Sequence, residues 1–303
     1  MRPTDTYDII EKPSLNSGAL AQTRWAEEHS ISLERAGYVE LLADNLFLGQ
    51  LNSETRADFE SADGGELQDN GHRPAKMRAL ISSSALAVNF FDAWRHASKE
   101  RLPAALGLDE PLERIRFEYK CTAYPIGPRS PNLDVVLTTA SGRRIAIESK
   151  FLESYRNPAK HAVLSEKYFP SGRGVWSAAR LPRAQALVND KSIRWNYLDA
   201  SQLLKHLLGL RCDTSPGEVE LLYLWYDTGL GDAIAHRMEI SRFAEAVQED
   251  NPEDCLHFRS MTYQELFASL ADRAGELPSG WATYMSARYF RASATASQFH
   301  HET

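Results

Sequence analysis

Three ionisable residues stand in segments that are otherwise apolar: Asp134 in LDVVLTT, and Glu148 and Lys150 in RRIAIESKFLE. In an extended strand alternate side chains point to opposite faces, so Glu148 and Lys150 share a face about 7 Å apart, with Ser149 turned away. Asp134 alternates with Val136 and Thr138, and a hairpin folded about Ser141–Gly142 would bring it beside Glu148. Charges in such strands are costly unless paired or bound to metal. Two neighbouring carboxylates repel, and a hard divalent cation such as Mg²⁺, which prefers oxygen ligands and keeps waters, relieves that repulsion. A water held there beside a lysine can attack a phosphodiester while the metal neutralises charge building on the phosphate. Whether the lysine orients the nucleophile or stabilises the developing charge stays open. An E-x-K triplet alone is usually a surface pair; the acid 14 positions upstream, across a glycine turn, sets this one apart.

The elements that must position these residues follow from periodicity. Ile115, Phe117, Tyr119 and Cys121 alternate as a strand that stops before Pro125, and the loop IGPRSPN is a turn. Residues 133–139 and 143–153 form the next two strands around ASG, giving a meander. A basic loop over 153–183 follows, punctuated by Pro158, Pro170, Gly172, Gly174 and Pro182, with Gly172–Arg173–Gly174 a flexible turn. Beyond it the pattern predicts a helix over 199–210 capped by Asp199, a strand over 218–226, a helix over 239–250, a strand over 256–261 and a helix over 262–274. Upstream, residues 1–60 read as mostly helical. Leu33, Val39, Leu41, Leu42 and Leu46 suggest an amphipathic helix over 32–49, and 60–74 a mobile loop. A further helix is expected over 76–99, with Ser82, Ser83 and Ser84 inside it or near its start. The sum is an α/β fold, a mixed β-sheet flanked by helices. Residues 1–75 would be an N-terminal helical extension with its loop, 76–291 the sheet domain and 292–303 a flexible tail.

Composition narrows the class. The chain is 43% hydrophobic and 25% charged, as in ordinary globular proteins. Its longest uncharged run, Ala79 to Phe91, is too short to span a bilayer, and the N-terminus lacks the apolar segment of a secretory signal. Cys121, Cys212 and Cys255 are odd in number and far apart, which fits a reducing cytoplasm and small buried apolar roles. The net charge is −7, but residues 143–194 carry 11 Lys and Arg against 4 Asp and Glu. A basic middle in an acidic frame is the electrostatic footprint of phosphate-backbone contact. Tyr168, Trp176 and Trp195 in and beside it could stack on bases, although core packing is the commoner role. No GxxxxGK[ST], GxSxG or HExxH motif occurs.

From about Phe117 to Glu153 the chain resembles the PD-(D/E)xK nuclease superfamily, the fold of restriction endonucleases. The resemblance implies Asp134 and Glu148 as Mg²⁺ ligands, the Ser149 carbonyl as a further ligand and Lys150 as the catalytic lysine. Asp134 follows Leu133 rather than the family's proline, and Pro131 lies three positions before it. More loosely, SSSALAVNFFDAW, YLDASQLLKHLLGL and LLYLWYD resemble a branch of bacterial proteins named as restriction endonucleases. Many members add an acid from upstream; Asp92, Glu66 and Glu118 are the candidates, Glu118 being nearest in sequence. Gln202 resembles a glutamine that steadies the site in exonuclease-like branches. His206, four positions on, shares its helix face, and its commoner reading is a satisfied histidine. The implied activity is Mg²⁺-dependent hydrolysis of DNA in restriction or phage defence, with a homodimer as the arrangement that cuts both strands. The alternatives are a nucleic-acid-binding module that does not cut and a lysine-centred Schiff-base enzyme.

Overall fold

The computed structural model describes residues 12–62, 65–97, 100–121, 126, 130–156, 164–169, 174–213, 218–250, 256–273 and 275–290. The tail over 292–303, Cys255, Pro125, and Gly172 and Arg173 lie outside these. Helix α1 (Pro13–Glu28) comes first, then a two-stranded ribbon of β1 (Leu33–Arg35) and β2 (Tyr38–Val39), then helices α2 (Ser53–Ser61), α3 (Ser83–Phe91) and α4 (Arg101–Ala105). Strands β3 (Leu112–Lys120), β4 (Asn132–Thr139) and β5 (Arg144–Lys150) form the expected meander. Helices α5 (Glu153–Arg156), α6 (Val175–Ala178), α7 (Pro182–Asn189) and α8 (Ala200–Cys212) lead to β6 (Val219–Trp225). Helix α9 (Gly231–Asp250) leads to β7 (Leu256–Thr262), and α10 (Tyr263–Ala271) and α11 (Trp281–Arg288) close the chain.

The five strands make one mixed sheet in the order β3-β4-β5-β6-β7, antiparallel from β3 to β5 and parallel from β5 to β7. The two parallel steps need crossovers, which α5 to α8 and α9 supply. Helices cover both faces at the centre, so β6 is apolar on both: Leu221, Leu222, Leu224 and Trp225 are all buried. In β4 and β5, Leu133, Val135, Leu137, Ile145 and Ile147 line one face with almost no exposure. That face belongs to α3 and α10: Ser149 Oγ meets the Tyr263 hydroxyl, whose ring lies 5.2 Å from Phe90. The opposite face, with Glu148 and Lys150, belongs to α8.

Several upstream expectations are corrected. Residues 32–49 form no helix; Gly37, with φ of +79°, turns the β1–β2 ribbon, and only a 3-10 turn follows at Leu42–Asn45. The helix expected over 76–99 is shorter, because extended backbone at Ala79 ends a 3-10 turn and the Ser82 hydroxyl caps α3 by accepting from Ala85 N–H. The loop over 60–74 is anchored by a buried Glu66. Helix α9 starts eight residues earlier than expected, and α11 has no counterpart in the sequence reading. The basic segment contains α5, α6 and α7 rather than loop alone, and its Tyr168, Trp176 and Trp195 are buried rather than free to stack on bases. Cys121 is buried, with its thiol pushed up to about 12 by that burial, which suits an inert core residue.

Two buried polar residues of α9 fix the elements around the sheet. Glu239 accepts backbone N–H bonds from Asn196, Tyr197 and Leu198 at 2.7, 2.9 and 2.8 Å, pinning the segment that leads into α8. Removing it strands the buried Leu198 N–H and the partly buried N–H groups of Asn196 and Tyr197. Glu239→Ala is expected to cost about 2–4 kcal/mol in urea denaturation, with Glu239→Gln losing less; an unchanged midpoint would remove this role. His236 is fully buried against Trp225, with Nε2 3.0 Å from the Tyr223 hydroxyl and Nδ1 3.4 Å from that of Tyr155. Burial pushes its pKa down from 6.5 to about 3, so the native state holds it neutral. The unfolded state then binds more protons between those values, and stability falls as pH drops from 6.5 toward 3. His236→Gln should lose stability less steeply than wild type over that range; parallel curves would exclude His236 as a source.

Candidate active site

The pairing of β4 with β5 matches Leu137 to Ile145, Val136 to Ala146 and Val135 to Ile147. One further step sets Asp134 level with Glu148 on the same face, where two acids are close cross-strand neighbours. Asp134 Oδ2 accepts the Ser149 backbone N–H at 2.7 Å. Within an antiparallel strand the N–H and C=O of one residue point to the same side, so the Ser149 carbonyl is directed toward the Asp134 side of β5.

Glu148 is 1% exposed. Its Oε1 accepts from Lys150 Nζ at 2.5 Å, and Lys150 also donates to Gln202 Oε1 at 3.1 Å. Its Oε2 lies 2.9 Å from His206 Nε2, but the two are not aligned for a hydrogen bond, and both atoms remain buried without a partner. Helix α8 thus sets Gln202 over Lys150 and, one turn on, His206 over Glu148. The Asp199 side chain caps that helix through Gln202 N–H at 2.9 Å.

The three candidate extra acids separate clearly. Glu118 sits on β3 between the pairs Phe117–Val135 and Tyr119–Leu133, level with Asp134. Its backbone is left-handed, φ +49°, a conformation a glutamate adopts only at a cost of about 1 kcal/mol or more, and its carboxylate accepts from Asn132 Nδ2 at 2.8 Å. Glu66 is held by Lys76 at 2.7 Å and Ser84 at 2.9 Å and is close enough to add to the negative field at Glu118. Asp92 is engaged elsewhere, accepting from Thr55 at 2.5 Å, Arg95 at 2.9 Å and Asn52 N–H at 3.2 Å, which ties α2 to the end of α3.

The electrostatics are unequal. Burial and the neighbouring Glu148 push the Asp134 carboxyl well above its usual range, and burial raises Glu118 as well. Burial also disfavours charge on Glu148, but Lys150 and His206 outweigh it and hold that carboxyl low. Burial disfavours the Lys150 ammonium, yet Glu148 and Asp134 outweigh it and hold it firmly protonated. Glu148 and Lys150 therefore form a charged pair, while Asp134 is the acid most ready to carry a proton.

The donor set fits Mg²⁺. It offers two adjacent carboxylates, a buried Oε2 whose 2.9 Å contact with His206 Nε2 is not aligned as a hydrogen bond, and a carbonyl on the same side. Among the described residues no three His, Cys, Asp or Glu side chains gather into a cation cage. A cation that keeps several waters needs only one or two carboxylates from the protein.

A mixed sheet with helices on both faces and this acid–acid–lysine group at its central hairpin is a restriction-endonuclease-like α/β fold. Residues 15–290 match the family described as restriction endonuclease associating with ARP, and the chain belongs to that family. No curated protein and no solved structure matches the chain. Membership points to a nuclease whose substrate is DNA.

The structure brings Asp134, Glu148, Lys150, Gln202 and Glu118 together, with Ser149 at the junction. Sequence reasoning undervalued His206; its spacing from Gln202 was the available signal, but only the packing of α8 reveals which strand it covers. Lys150→Ala would leave Glu148 and Asp134 buried without their cation. The expected cost is about 3 kcal/mol in chemical denaturation at pH 8, shrinking as pH falls and the carboxylates take up protons. A loss independent of pH would argue against this charge balance.

Proposed function

We infer that the protein is a Mg²⁺-dependent deoxyribonuclease acting in restriction or phage defence; the family's description as a restriction endonuclease supports the nuclease part of that reading. The observation that carries the reading is the buried Glu148 carboxylate beside a second acid and a lysine, its Oε2 lying 2.9 Å from His206 Nε2 without an aligned hydrogen bond. Asp134, Glu148 and the Ser149 carbonyl would hold Mg²⁺. When bound, Mg²⁺ lowers the pKa of a ligated water and offsets charge building on the phosphate.

The chain's own groups do the rest. Lys150, protonated and held between Glu148 and Gln202, keeps its ammonium where it can donate to the attacking water or to a phosphate oxygen. Gln202 has no charge to exchange, so its part is to fix the lysine rotamer from α8. Glu118, level with Asp134, is the further acid from the edge strand. One such site cuts one strand, so cleavage of both strands calls for a homodimer. Among the described residues no helix is long and apolar enough to cross a membrane.

The rival readings meet specific obstacles. A Schiff-base enzyme needs a neutral amine as nucleophile, and the two acids hold Lys150 in the opposite state. A module that only binds nucleic acid has no use for a buried Glu148 oxygen without an aligned hydrogen bond, which costs stability.

Plasmid and linear DNA incubated with Mg²⁺ should be cut, and EDTA should stop the reaction. Asp134→Ala, Glu148→Ala and Lys150→Ala should each lower the rate by about 100-fold or more, in line with loss of a preorganised transition-state contact. Undiminished cutting by Glu148→Ala or Lys150→Ala would overturn the site. Gln202→Ala should lower the rate less, because it acts through Lys150.

A further inference from the structure

Along the edge of β3 lies a groove of about 790 Å³ that none of Glu118, Asp134, Glu148 and Lys150 lines. Pairing across the sheet orders its floor. Arg114 is matched to Thr138 and Thr138 to Arg144; one row on, Arg116 is matched to Val136 and Val136 to Ala146. The next row on that face is Glu118, Asp134 and Glu148. Two residues of strand advance about 6.6 Å, so the arginine rows lie about 7 and 13 Å from the acids. Arg114, Arg116, Arg144, Val136 and Thr138 all line the groove.

Its buried side-chain atoms without a partner are donors, while the exposed Glu113 and the Arg95-bound Glu54 also line it. Arg144 is only 5% exposed; Nη1 binds Asp213 at 2.9 Å, while Nε and Nη2 are buried with no partner. Trp94, 3% exposed, lines the same groove with its indole N–H unpartnered. Buried donors are ordinarily satisfied, so orphans on the wall of an open groove point to a ligand rich in acceptors. Arg114 is exposed and makes no ion pair or hydrogen bond among the described residues. Arg116 lies over the Tyr119 ring at 5.0 Å and meets Asp58 through Nε at 3.9 Å, a long contact that leaves its terminal nitrogens to face an anion. Guanidinium groups suit phosphate because their N–H groups form a planar fork.

We propose that this groove is the track for the phosphate backbone of the DNA strand running away from the acids, with Arg116 and then Arg114 and Arg144 meeting successive phosphates. The proposal rests on the nuclease reading for the identity of the strand. A strand is favoured over a small phosphorylated molecule because the cations are spread in rows that continue to the acids, at intervals comparable with those between neighbouring phosphates. A compact anion would need them gathered at one point.

The test is binding of a fluorescein-labelled DNA duplex and single strand to the full chain in Ca²⁺ and in EDTA, read by anisotropy over a salt series. Arg114→Ala, Arg116→Ala and Arg144→Gln should each weaken binding about tenfold and reduce the slope of log affinity against log salt by about one. Arg242→Ala, on the exposed side of α9, should change neither. In cleavage Arg114→Ala and Arg116→Ala should raise KM and leave kcat near wild type. Arg114→Ala alters an exposed, unpaired side chain, so its reading does not depend on whether Arg144→Gln folds. Wild-type affinity and slope in both Arg114→Ala and Arg116→Ala would overturn the track, even if DNA is still cut. Binding that is sensitive to these variants, with no cutting in any metal, would sink the nuclease reading and leave the track standing. If inorganic pyrophosphate binds wild type and not Arg144→Gln while DNA affinity is unchanged, the groove is a small-anion site and the strand proposal fails.

Discussion

Glu148 is charged, almost wholly enclosed and set in the middle of a sheet whose other central residues are apolar. An uncompensated carboxylate in such a place costs several kcal/mol, against a net folding stability for a domain of about 5–15 kcal/mol. The surroundings of β5 answer that cost from three directions. Lys150 comes from the same strand two residues on, His206 from α8 above it, and Asp134 from the neighbouring strand yields by tending to keep its proton. The compensation is incomplete, because Glu148 Oε2 and both His206 ring nitrogens lack hydrogen-bond partners. That residual polarity gives the cluster a reason to take up a cation, and it links the energetics of the core to the chemistry of the site.

The lid over this cluster is α8, and its position is specified at both ends. Before it, Glu239 grips three successive backbone N–H groups and Asp199 caps the first turn. After it, Asp213 reaches Arg144 on β5 and Tyr119 on β3 at 2.9 and 2.8 Å. Because α8 runs antiparallel to β5, these clamps lay Gln202 over Lys150, His206 over Glu148 and Asp213 over Arg144. A site needing placement within about half an ångström gains more from such a clamped helix than from loop residues. The same clamp connects the groove to the acids, since Arg144 begins the strand that Lys150 ends.

The central meander and the adjacency of Asp134, Glu148 and Lys150 on it were legible because strand alternation has a period of two and Gly142, with φ of +88°, permits the tight turn between β4 and β5. The capped start of α8 was legible for a similarly local reason, the Asp199 side chain. What failed was decided by tertiary context. Leu33, Val39 and Leu42 look like one helical stripe, yet Gly37 turns the chain between them and Val39 packs with Trp25 of α1. Trp281 of α11 finds its partners, Asn89 and Phe90, in α3, far away in sequence, so no local pattern announced that helix. His206 belongs to the same class. Its partner could be named only once the face of the sheet under α8 was known.

Glu118 shows how a single backbone choice serves two ends. Strand β3 is an edge of the sheet, where unpaired N–H and C=O groups would invite pairing with another chain, and two of them are capped: Phe117 N–H donates to Asp58 at 2.9 Å and the Ile115 carbonyl accepts from Arg95 at 2.7 Å. Charged Glu113, Arg114 and Arg116 discourage such pairing, and the left-handed turn at Glu118 interrupts the regular edge. That turn also breaks strict alternation, so that Arg116 and Tyr119, three residues apart, stack on one another and their side chains frame the groove. A flat strand would point Tyr119 away from Arg116 and continue the ladder past the acids. The strain at Glu118 therefore opens the edge of the sheet at the row where Asp134 and Glu148 stand, and it can persist because the pairs on either side, Phe117 with Val135 and Tyr119 with Leu133, hold the strand in register.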